Sequence, residues 1–355
     1  LYIMKKIIFF IESLENSGGT ERITTLIANS LAEKNFSVSI ITIIGEHTPF
    51  FPVNKKISIY HLSRNIKKNP FYIFFAVKKL KNLLKELNAE YIITVGSINS
   101  IYTIPATLGT KVKNFCWEHF NYTIGRGVKL LRKISRISCK KIIVLTHKDK
   151  ILWEKYTYGK AKITIINNPS TFKKQSTLPL IKNKTVISIG RLEPQKGFDK
   201  LINIWEKSEL KDYGWKLFIV GNGKEYNNLL SLISEKNLNN NIKILPPTKN
   251  INKIYKSASI YCMTSRFEGM PLVLLEALSF NLPLIAYDCN TGPSEIITSD
   301  ENGLLIENTN TEHYISALSK LALNESYYNQ VTSNILIKNY FSIDKIITEW
   351  VNNFD

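Results

Sequence analysis

Two carboxylates eight positions apart stand out in residues 264–278, which read TSRFEGMPLVLLEAL. Glu268 stands three residues before Pro271. Proline is tolerated in the first turn of a helix because its missing N–H is not needed there. Glu276 lies in the apolar run of that predicted helix, so its carboxylate is expected to be partly buried and hydrogen-bonded. Free backbone N–H groups at the helix entrance favour electron-rich ligands. The pair therefore suits a ligand with two hydroxylated parts, although this spacing alone is more typical of an ordinary helix with a polar start.

Three other segments place polar residues directly after an apolar run. Residues 17–22 read SGGTER, and their two glycines would let the backbone approach a phosphate closely. Residues 187–199 read ISIGRLEPQKGFD and supply Arg191 and Lys196, two cations suited to a departing phosphate. Residues 117–119 read WEH. The alternatives are a plain tight turn at SGGTER, solvated loop cations at Arg191 and Lys196, and a structural histidine at His119.

Together, and in this order, the four segments resemble the signature of the retaining glycosyltransferases of family 4. The resemblance covers essentially the whole chain. It implies the α/β GT-B fold, in which two Rossmann-like domains face each other with a cleft between them. It also implies the transfer of a sugar from a nucleotide sugar. No metal or other cofactor is expected, and the sequence has no Asp-x-Asp motif. The resemblance also implies a reaction on the front face of the sugar, so no general base is assigned.

The resemblance implies two sets of site residues. The set expected to act on the reacting groups is His119, Arg191, Lys196 and Glu268. The set expected to hold the donor is Gly18, Gly19, Gly269, Met270 and Glu276. Arg191 and Lys196 would meet the leaving phosphate, and Glu276 would meet the ribose hydroxyls. Glu268, His119 and the backbone at Gly269 and Met270 would lie near the transferred sugar. No metal ligand is expected.

Two further loops belong to the predicted second half of the protein. Residues 217–223 read LFIVGNG, but the third glycine of a dinucleotide fingerprint is replaced by Tyr226. This loop is interpreted as scaffold rather than as a nicotinamide site. Residues 290–297 read NTGPSEII and resemble a loop that lines the donor site, with Glu295 expected to cap the following helix.

Length and composition limit the classes of protein that fit. With 355 residues, of which 44% are hydrophobic, the chain is expected to form two globular domains. Its four cysteines show no Cys-x-x-Cys spacing, which disfavours a zinc site and disulfides and fits a reducing cytosol. No apolar run reaches the roughly 18 residues of a membrane span. The start, with Met4 as the expected initiator, is interpreted as a first strand rather than a signal peptide.

The positive charge is concentrated in one half of the chain. The net charge is +18, yet residues 1–175 hold 29 Lys and Arg against 10 Asp and Glu, whereas residues 176–355 hold 18 against 19. Compositional drift toward lysine would affect both halves alike. The excess therefore points to a polyanionic partner of the first half: an anionic membrane surface, a pyrophosphate-linked substrate or nucleic acid.

Two basic stretches with an apolar face, residues 67–85 and 126–141, favour the anionic membrane surface among these partners. Solvated lysines on helices that pack against a core are the alternative. The cations expected to dock are Lys67, Lys68, Lys78, Lys79, Lys81 and Lys85, with Arg132, Lys133 and Arg136 as further candidates. The aromatic residues Phe71, Tyr72, Phe74 and Phe75 would insert shallowly if they are not core.

Short apolar runs alternate with helical patterns along the chain, which is typical of parallel α/β sheets. Strands are predicted at Lys6–Ile11, Ser37–Ile44, Tyr91–Val95, Lys113–Trp117, 141–145, Thr185–Ile189, 215–220, Ile242–Leu245, Ile260–Met263 and 284–287. Helices are predicted notably at 21–34 and 73–87, and a Pro-, Ser-, Thr- and Lys-rich linker at 167–184.

The predicted domains follow from this alternation and from the resemblance. They are an acceptor-binding Rossmann-like domain at 1–170, a nucleotide-sugar-binding Rossmann-like domain at 171–340, and a C-terminal helix within 341–355. By resemblance this helix packs back on the first domain, although the sequence alone is equally compatible with a helix on its own domain.

These features predict a metal-independent, retaining glycosyltransferase. It is expected to move a hexose or N-acetylhexosamine, with UDP favoured as the donor nucleotide, to a lipid-pyrophosphate-linked saccharide in assembly of a bacterial surface polysaccharide such as capsule or O-antigen. It would then be cytoplasmic and peripheral on the inner face of the cell membrane. The alternatives are a family member with a soluble acceptor, a nucleotide-sugar 2-epimerase and a basic nucleic-acid-binding protein. No nucleic-acid partner is expected, because the basic stretches carry no recognised nucleic-acid motif.

Overall fold

The computed structural model describes residues 4–46, 48–64, 71–338 and 340–354. The chain divides into two compact units: Leu1–Pro169 with Ile343–Asp355, and Ser170–Ser342. Each unit is built on a single parallel β-sheet with helices around it. The predicted α/β class is thereby confirmed for both units.

The first unit contains a seven-stranded sheet with the strand order β3-β2-β1-β4-β5-β6-β7. Its strands are β1 (Lys6–Ile11), β2 (Ser37–Ile44), β3 (Ser58–Ser63), β4 (Tyr91–Val95), β5 (Lys113–Trp117), β6 (Lys141–Val144) and β7 (Lys162–Ile165). Its helices are α1 (Gly19–Glu33), α2 (Phe71–Glu86), α3 (Ser100–Thr107), α4 (Lys129–Ser138), α5 (His147–Tyr156) and, from the end of the chain, α13 (Ile343–Val351). The central strands are continuous apolar runs because helices cover both faces of the sheet.

The second unit contains a six-stranded sheet with the strand order β10-β9-β8-β11-β12-β13. Its strands are β8 (Thr185–Ile189), β9 (Lys216–Val220), β10 (Ile242–Leu245), β11 (Ile260–Met263), β12 (Leu284–Asp288) and β13 (Gly303–Glu307). Its helices are α6 (Phe198–Lys207), α7 (Tyr226–Glu235), α8 (Ile251–Ser257), α9 (Leu272–Ser279), α10 (Pro293–Ile296), α11 (Thr311–Leu323) and α12 (Glu325–Ile337). All ten predicted strands are present with the predicted bounds or within one residue of them.

Both sheets reverse their strand order at one point, between β1 and β4 in the first unit and between β8 and β11 in the second. Ligands of open parallel sheets bind beyond the carboxyl ends of the strands at such a point. The loops that follow β8 and β11 carry the predicted residues Arg191, Lys196 and Glu268. The topology therefore places the predicted donor loops side by side.

The C-terminal helix α13 belongs to the first unit. Its Trp350 is fully buried, and its ring packs edge-on against Trp117 at the end of β5 and near Phe9 of β1. The last residues continue this packing, because the ring of Phe354 stacks on Phe115 of β5. Burial of these aromatic rings holds the end of the chain on the first sheet.

Candidate active site

Lys196 and Glu268 are in direct contact. The Lys196 ammonium nitrogen Nζ lies 2.7 Å from Oε1 of Glu268, and both side chains are largely withdrawn from solvent. The aliphatic stem of Lys196 lies along Gly190, since a Cβ atom at that glycine would stand 3.3 Å from three of its carbons. The two loops at the reversal point of the second sheet thus join in one ion pair.

Further contacts fasten these two loops together. The Arg266 guanidinium binds both carboxylate oxygens of Asp199, at 2.9 and 2.6 Å. Burial acts to raise the pKa of Asp199, but the Arg266 partner outweighs it and holds the pKa below its ordinary value. The side-chain amide of Gln195 donates to the backbone oxygen of Phe267 at 3.0 Å. The backbone N–H of Arg266 donates in turn to the backbone oxygen of Gln195 at 2.8 Å. The position of Lys196 opposite Glu268 is therefore fixed by its neighbours on both loops.

The loop after β12 closes on the same residues. The Thr291 hydroxyl donates to the backbone oxygen of Glu268 at 2.6 Å. Gly292 has φ +95°, and a Cβ atom there would stand 2.4 Å from the backbone oxygen of Gly269. Only glycine permits both this backbone conformation and this approach. Glu295, expected to cap the helix that follows, lies within the first turn of α10.

Glu276 is buried in α9, as predicted, and has the hydrogen-bonding partners that its burial requires. Its Oε1 accepts a hydrogen bond from the Thr171 hydroxyl at 2.8 Å, and its Oε2 accepts one from the Tyr255 hydroxyl at 2.8 Å. A carboxylate oxygen has two acceptor sites. Both of these donors are hydroxyl groups, and a nucleoside ribose presents the same kind of group.

The remaining predicted residues of the second unit differ in exposure. Met270 is buried and Gly269 is half-buried, both between Glu268 and the start of α9. Arg191 is exposed, and its guanidinium contacts the side-chain oxygen of Gln195 at 3.5 Å. The structure therefore brings Lys196, Glu268, Gly269 and Met270 together, whereas the Arg191 side chain contacts its own loop.

The glycines of LFIVGNG face protein backbone. A Cβ atom at Gly221 would stand 1.9 Å from the backbone oxygen of Gly190, and one at Gly223 would stand 2.4 Å from that of Leu192. These contacts let the loop after β9 support the loop that carries Lys196. They agree with the interpretation of LFIVGNG as scaffold.

In the first unit, Gly18 precedes the first turn of α1 and Gly19 begins the helix, as predicted. A Cβ atom at Gly18 would stand 2.3 Å from Oε2 of Glu21, which places the Glu21 carboxylate over the N-terminus of the helix. The third residue of a helix commonly folds back in this way, and a negative charge is favourable there. An anionic ligand at Gly18 and Gly19 would compete with Glu21, a relationship that was not predicted from the sequence.

His119 is nine-tenths buried after β5, and its ring centroid lies 4.2 Å from that of Trp117. Burial lowers the pKa of His119 to about 3, so the ring is neutral at physiological pH. Its Nε2 has no hydrogen-bond partner among the described residues. A buried polar atom in this state is costly to leave unsatisfied, which is a reason to seek its partner in a ligand.

Glu118, the middle residue of Trp-Glu-His, was not predicted as a functional residue. Its carboxylate forms a buried ion pair with Arg132 of α4, where Nε lies 2.9 Å from Oε2 and both side chains are 2% exposed. Arg132 had been expected among the membrane-docking cations, and that prediction is wrong because the guanidinium is enclosed. The sequence does carry a signal for a buried, paired carboxylate. Glu118 directly follows an apolar strand, where an unpaired charge would be costly.

The other predicted membrane contacts of the first unit have mixed outcomes. Lys67 and Lys68 lie outside the described residues. Tyr72 is half-buried, whereas Phe71, Phe74 and Phe75 are exposed, so these three are not core. Lys79 donates to the backbone oxygens of His61 and Leu62, and Lys81 to that of Leu108. Among the described side chains of the two stretches, the exposed cations are Lys78, Lys79, Lys81, Lys85, Lys129, Lys133 and Lys140.

Family profiles match residues 17–336 of the chain. The profile described as glycosyltransferase family 4 matches residues 17–170, and the profile described as glycosyl transferases group 1 matches residues 170–336. A glycosyltransferase of Haemophilus influenzae, itself uncharacterised, is 37% identical over 354 residues, which cover 98% of this chain and 99% of that protein. The chain belongs to the family 4 glycosyltransferases.

Two other relatives have more specific names. The amylovoran biosynthesis glycosyltransferase AmsD of Erwinia amylovora is 30% identical over 330 residues, 91% of each chain. A Campylobacter jejuni enzyme is 28% identical over 364 residues, 98% of each chain. Its name describes an α-1,4-N-acetyl-D-galactosaminyltransferase whose acceptor is a GalNAc-bearing diNAcBac-PP-undecaprenol.

Solved structures share the fold. The lipopolysaccharide outer core galactosyltransferase WaaB has a TM-score of 0.79 at 20% identity and 98% coverage of both chains. HepE of Anabaena in complex with UDP has a TM-score of 0.79 at 15% identity, with coverage of 98% of this chain and 99% of that chain. The GT-B fold expected of a family 4 glycosyltransferase is thereby confirmed.

Two kinds of feature are absent from the described parts of the chain. There, no group of three or more His, Cys, Asp and Glu side chains is arranged to hold a metal ion. The four cysteines are buried free thiols. Over the same residues, no helix combines the length and the apolar character needed to cross a membrane.

Proposed function

We propose that this glycosyltransferase moves a hexose or N-acetylhexosamine, with retention of configuration and without a metal ion, from a UDP-sugar to a lipid-pyrophosphate-linked saccharide. The contact between Lys196 and Glu268 carries the donor half of the proposal. It places a cation and a carboxylate together where the second sheet reverses its strand order, the position at which such sheets bind ligands. UDP is the nucleotide to test first because HepE has been solved with it.

Each residue then has a role in the transfer. Lys196, with Arg191 from the same loop, would neutralise the negative charge that grows on the leaving diphosphate. Glu268 would accept hydrogen bonds from hydroxyls of the transferred sugar, and Glu276 from those of the ribose. With the leaving phosphate deprotonating the acceptor on the front face, the reaction needs no enzymic base. Neutral His119 would hydrogen-bond to the reacting sugar through its Nε2.

The acceptor half of the proposal rests on relatives and on charge. The Campylobacter enzyme is named for a lipid-pyrophosphate acceptor, and AmsD for the biosynthesis of amylovoran. The first unit, residues 1–169 and 343–355, carries 28 Lys and Arg against 13 Asp and Glu. Such an excess attracts an anionic headgroup or pyrophosphate. We therefore assign the acceptor to the first unit and the pathway to surface polysaccharide assembly, such as capsule or O-antigen.

Helix α2 is the element that we propose to dock on the anionic membrane surface from the cytoplasmic side. Ala76, Leu80 and Leu84 pack into the core with strands of the first sheet. The helix nevertheless leaves Phe74 and Phe75 exposed in its first turns and Lys78 exposed beyond them. Exposed aromatic residues beside lysines suit the boundary between headgroups and acyl chains.

A ligand screen followed by product analysis tests the enzymatic proposal. UDP or a UDP-sugar should stabilise the protein by about 2.7 kcal/mol when present at a hundred times its dissociation constant. With the matching lipid-linked acceptor, the product should retain the anomeric configuration by NMR and should form equally well in EDTA. Inversion of configuration, or a requirement for Mg²⁺ or Mn²⁺, would refute those parts of the proposal. Transfer only to soluble sugars would favour the soluble-acceptor alternative.

A further inference from the structure

The loop after β5, residues 118–124, has no regular secondary structure, yet polar contacts hold it along its length. Glu118 begins the loop. Its Oε1 accepts the backbone N–H groups of His119 and Phe120, at 3.1 and 3.2 Å. Its Oε2 accepts the Ser97 hydroxyl and Nε of Arg132. One buried carboxylate therefore receives four donors, two of which are the backbone N–H groups of His119 and Phe120.

Arg132 of α4 binds the second part of the same loop. Its Nη1 donates to the backbone oxygens of Tyr122 and Ile124, at 2.5 and 2.9 Å. Its Nη2 lies 3.4 Å from the backbone oxygen of Asn121. Because Nε is bound to Glu118, the guanidinium ties the start of the loop to its end. A planar fork of five N–H donors suits this geometry, which a lysine cannot reproduce.

Asp149 of α5 supports the loop from a third element. Its Oδ1 accepts the backbone N–H of Tyr122 at 3.1 Å, and its Oδ2 accepts the Thr146 hydroxyl at 3.0 Å. Residues after β4, β5 and β6 thus meet in one buried polar cluster at the carboxyl edge of the first sheet. Replacing a buried ion pair with apolar residues is often neutral or stabilising. The function of the pair is therefore more readily explained by the geometry that it fixes than by stability.

We infer that Glu118 and Arg132 are positioning residues for His119. Their ion pair fixes the backbone of residues 118–124 so that the His119 ring stays buried against Trp117, with Nε2 left for a ligand. This inference rests on the proposed function of His119 at the reacting sugar. Neither Glu118 nor Arg132 is assigned a contact with substrate.

The test compares Glu118→Gln, Arg132→Lys and the milder Ser97→Ala with Thr94→Val. Thr94 is a matched control because its hydroxyl bonds to Thr103 and Asn114, both at 2.8 Å, which lie in the same unit and outside residues 118–124. The primary measurement is the exchange of the His119 imidazole C2 proton with solvent, followed by mass spectrometry across pH in the folded protein. It reports both the exposure and the pKa of this one ring, and it requires no substrate.

In Glu118→Gln and Arg132→Lys, His119 should exchange faster than in the wild type, and its pKa should move up from about 3 toward the ordinary value of 6.5. Ser97→Ala should change both in the same direction but less, and Thr94→Val should leave them unchanged. Wild-type exchange and titration in the folded Glu118→Gln, Arg132→Lys and Ser97→Ala proteins would overturn the inference. A change of equal size in Thr94→Val would also overturn it, since destabilisation alone would then explain the effect.

Kinetics separate this inference from the proposed function. A misplaced reacting group should lower kcat by about tenfold to a hundredfold in Arg132→Lys, while the KM for the donor and UDP binding in the second unit stay at wild-type values. If the wild type transfers no sugar, the proposed function fails, and the exchange measurement still decides whether the ion pair positions His119. A raised donor KM with unchanged kcat would contradict the positioning role.

Discussion

The Lys196 ammonium lies 2.7 Å from the Glu268 carboxylate, although the two residues are 72 positions apart in sequence. Each side chain neutralises the largely buried charge of the other. Removal of either one therefore leaves a buried charge unpaired, at a cost in stability. Because Lys196 already has a carboxylate partner, a diphosphate must share or replace that partner. If the donor binds Lys196 as proposed, its binding should change the local charge balance that this pair sets.

Lys196→Ala should lower turnover more than it weakens donor binding, because charge on the phosphate grows in the transition state. Loss of one such stabilising group typically reduces kcat by about a hundredfold to a thousandfold. Single-turnover kinetics and calorimetric UDP titration measure the two effects separately. Arg191→Ala, which lies outside the ion pair, should show the same pattern with less loss of stability. A variant with wild-type turnover and only a raised KM would show that its cation binds the donor without stabilising the transition state.

Glu276→Ala should weaken nucleotide-sugar binding by roughly 1.5–3 kcal/mol, as expected for lost hydrogen bonds to a charged acceptor. Tyr255→Phe is the matched control. It removes one protein donor to the carboxylate and keeps the carboxylate itself. Isothermal titration should therefore find donor affinity close to the wild type in Tyr255→Phe and reduced in Glu276→Ala. Equal affinity in all three folded proteins would remove Glu276 from the donor site.

The parts of the fold that were predicted and those that were missed differ in their position in the sheets. Central strands such as Tyr91–Val95 are covered on both faces and read as continuous apolar runs. The three strands that were not predicted, Ser58–Ser63, Lys162–Ile165 and Gly303–Glu307, are all edge strands. Two of them, Ser58–Ser63 and Lys162–Ile165, are largely exposed or half-buried, so neither needed a fully apolar sequence.

The site shows a similar division. Residues on loops after strands were located by motif, and their shared edge follows from the parallel topology. The pairing of Glu118 with Arg132 could not be inferred, because α4 reverses the usual pattern of an amphipathic helix. It buries Arg132 and Ser135, while Leu130 and Ile137 are exposed. Amphipathic reasoning assumes that the apolar face packs inward, and the buried carboxylate of Glu118 changes that outcome here.

His119→Gln should flatten the dependence of stability on pH. The folded-state pKa of His119 is lowered from 6.5 to about 3, so below pH 6.5 the unfolded chain binds a proton that the folded protein does not. The free energy of unfolding therefore falls as pH decreases, by about 1.6 kcal/mol between pH 6.5 and 5 from this residue. Urea unfolding at both pH values, in the wild type and His119→Gln, measures the difference. Parallel changes in the two proteins would contradict a neutral, buried His119.

Asp149→Asn should remove a contribution to stability whose dependence on pH is opposite in sign to that of His119. Burial, as the largest cause, raises the pKa of Asp149 from 3.8 to about 6 in the folded protein. Its contribution to stability is then fully present below pH 3.8 and is lost as pH rises through 6, by up to about 3 kcal/mol. The wild type should therefore lose stability relative to Asp149→Asn as pH rises from 4 to 7. Thermal unfolding across this range tests the sign, and a constant difference would show that Asp149 is charged throughout.

If α2 docks on the membrane, two apolar residues of equal exposure should contribute differently to vesicle binding. Phe74, 65% exposed, lies near the start of α2, and Ile137, 64% exposed, lies at the end of α4. Both helices connect parallel strands and run back from the carboxyl edge of the sheet to its amino edge, so these residues lie at opposite edges. If the carboxyl edge enters the membrane interface, Phe74→Ser should weaken binding to anionic vesicles, whereas Ile137→Ser should not.

The size of these effects can be bounded. Full burial of a phenylalanine contributes about 1.5–3 kcal/mol, so shallow insertion of Phe74 should contribute less than this. Each lysine near an anionic surface contributes about 1 kcal/mol, and salt weakens that contribution. Replacing Lys78 and Lys81, which lie nearer the start of α2 than Lys85 does, with Glu should therefore weaken vesicle co-sedimentation and leave UDP binding intact. If the wild type does not bind anionic vesicles at low salt, or if Ile137→Ser weakens binding as much as Phe74→Ser does, α2 is not the docking element. The first outcome would also leave the lipid-linked acceptor without its electrostatic support.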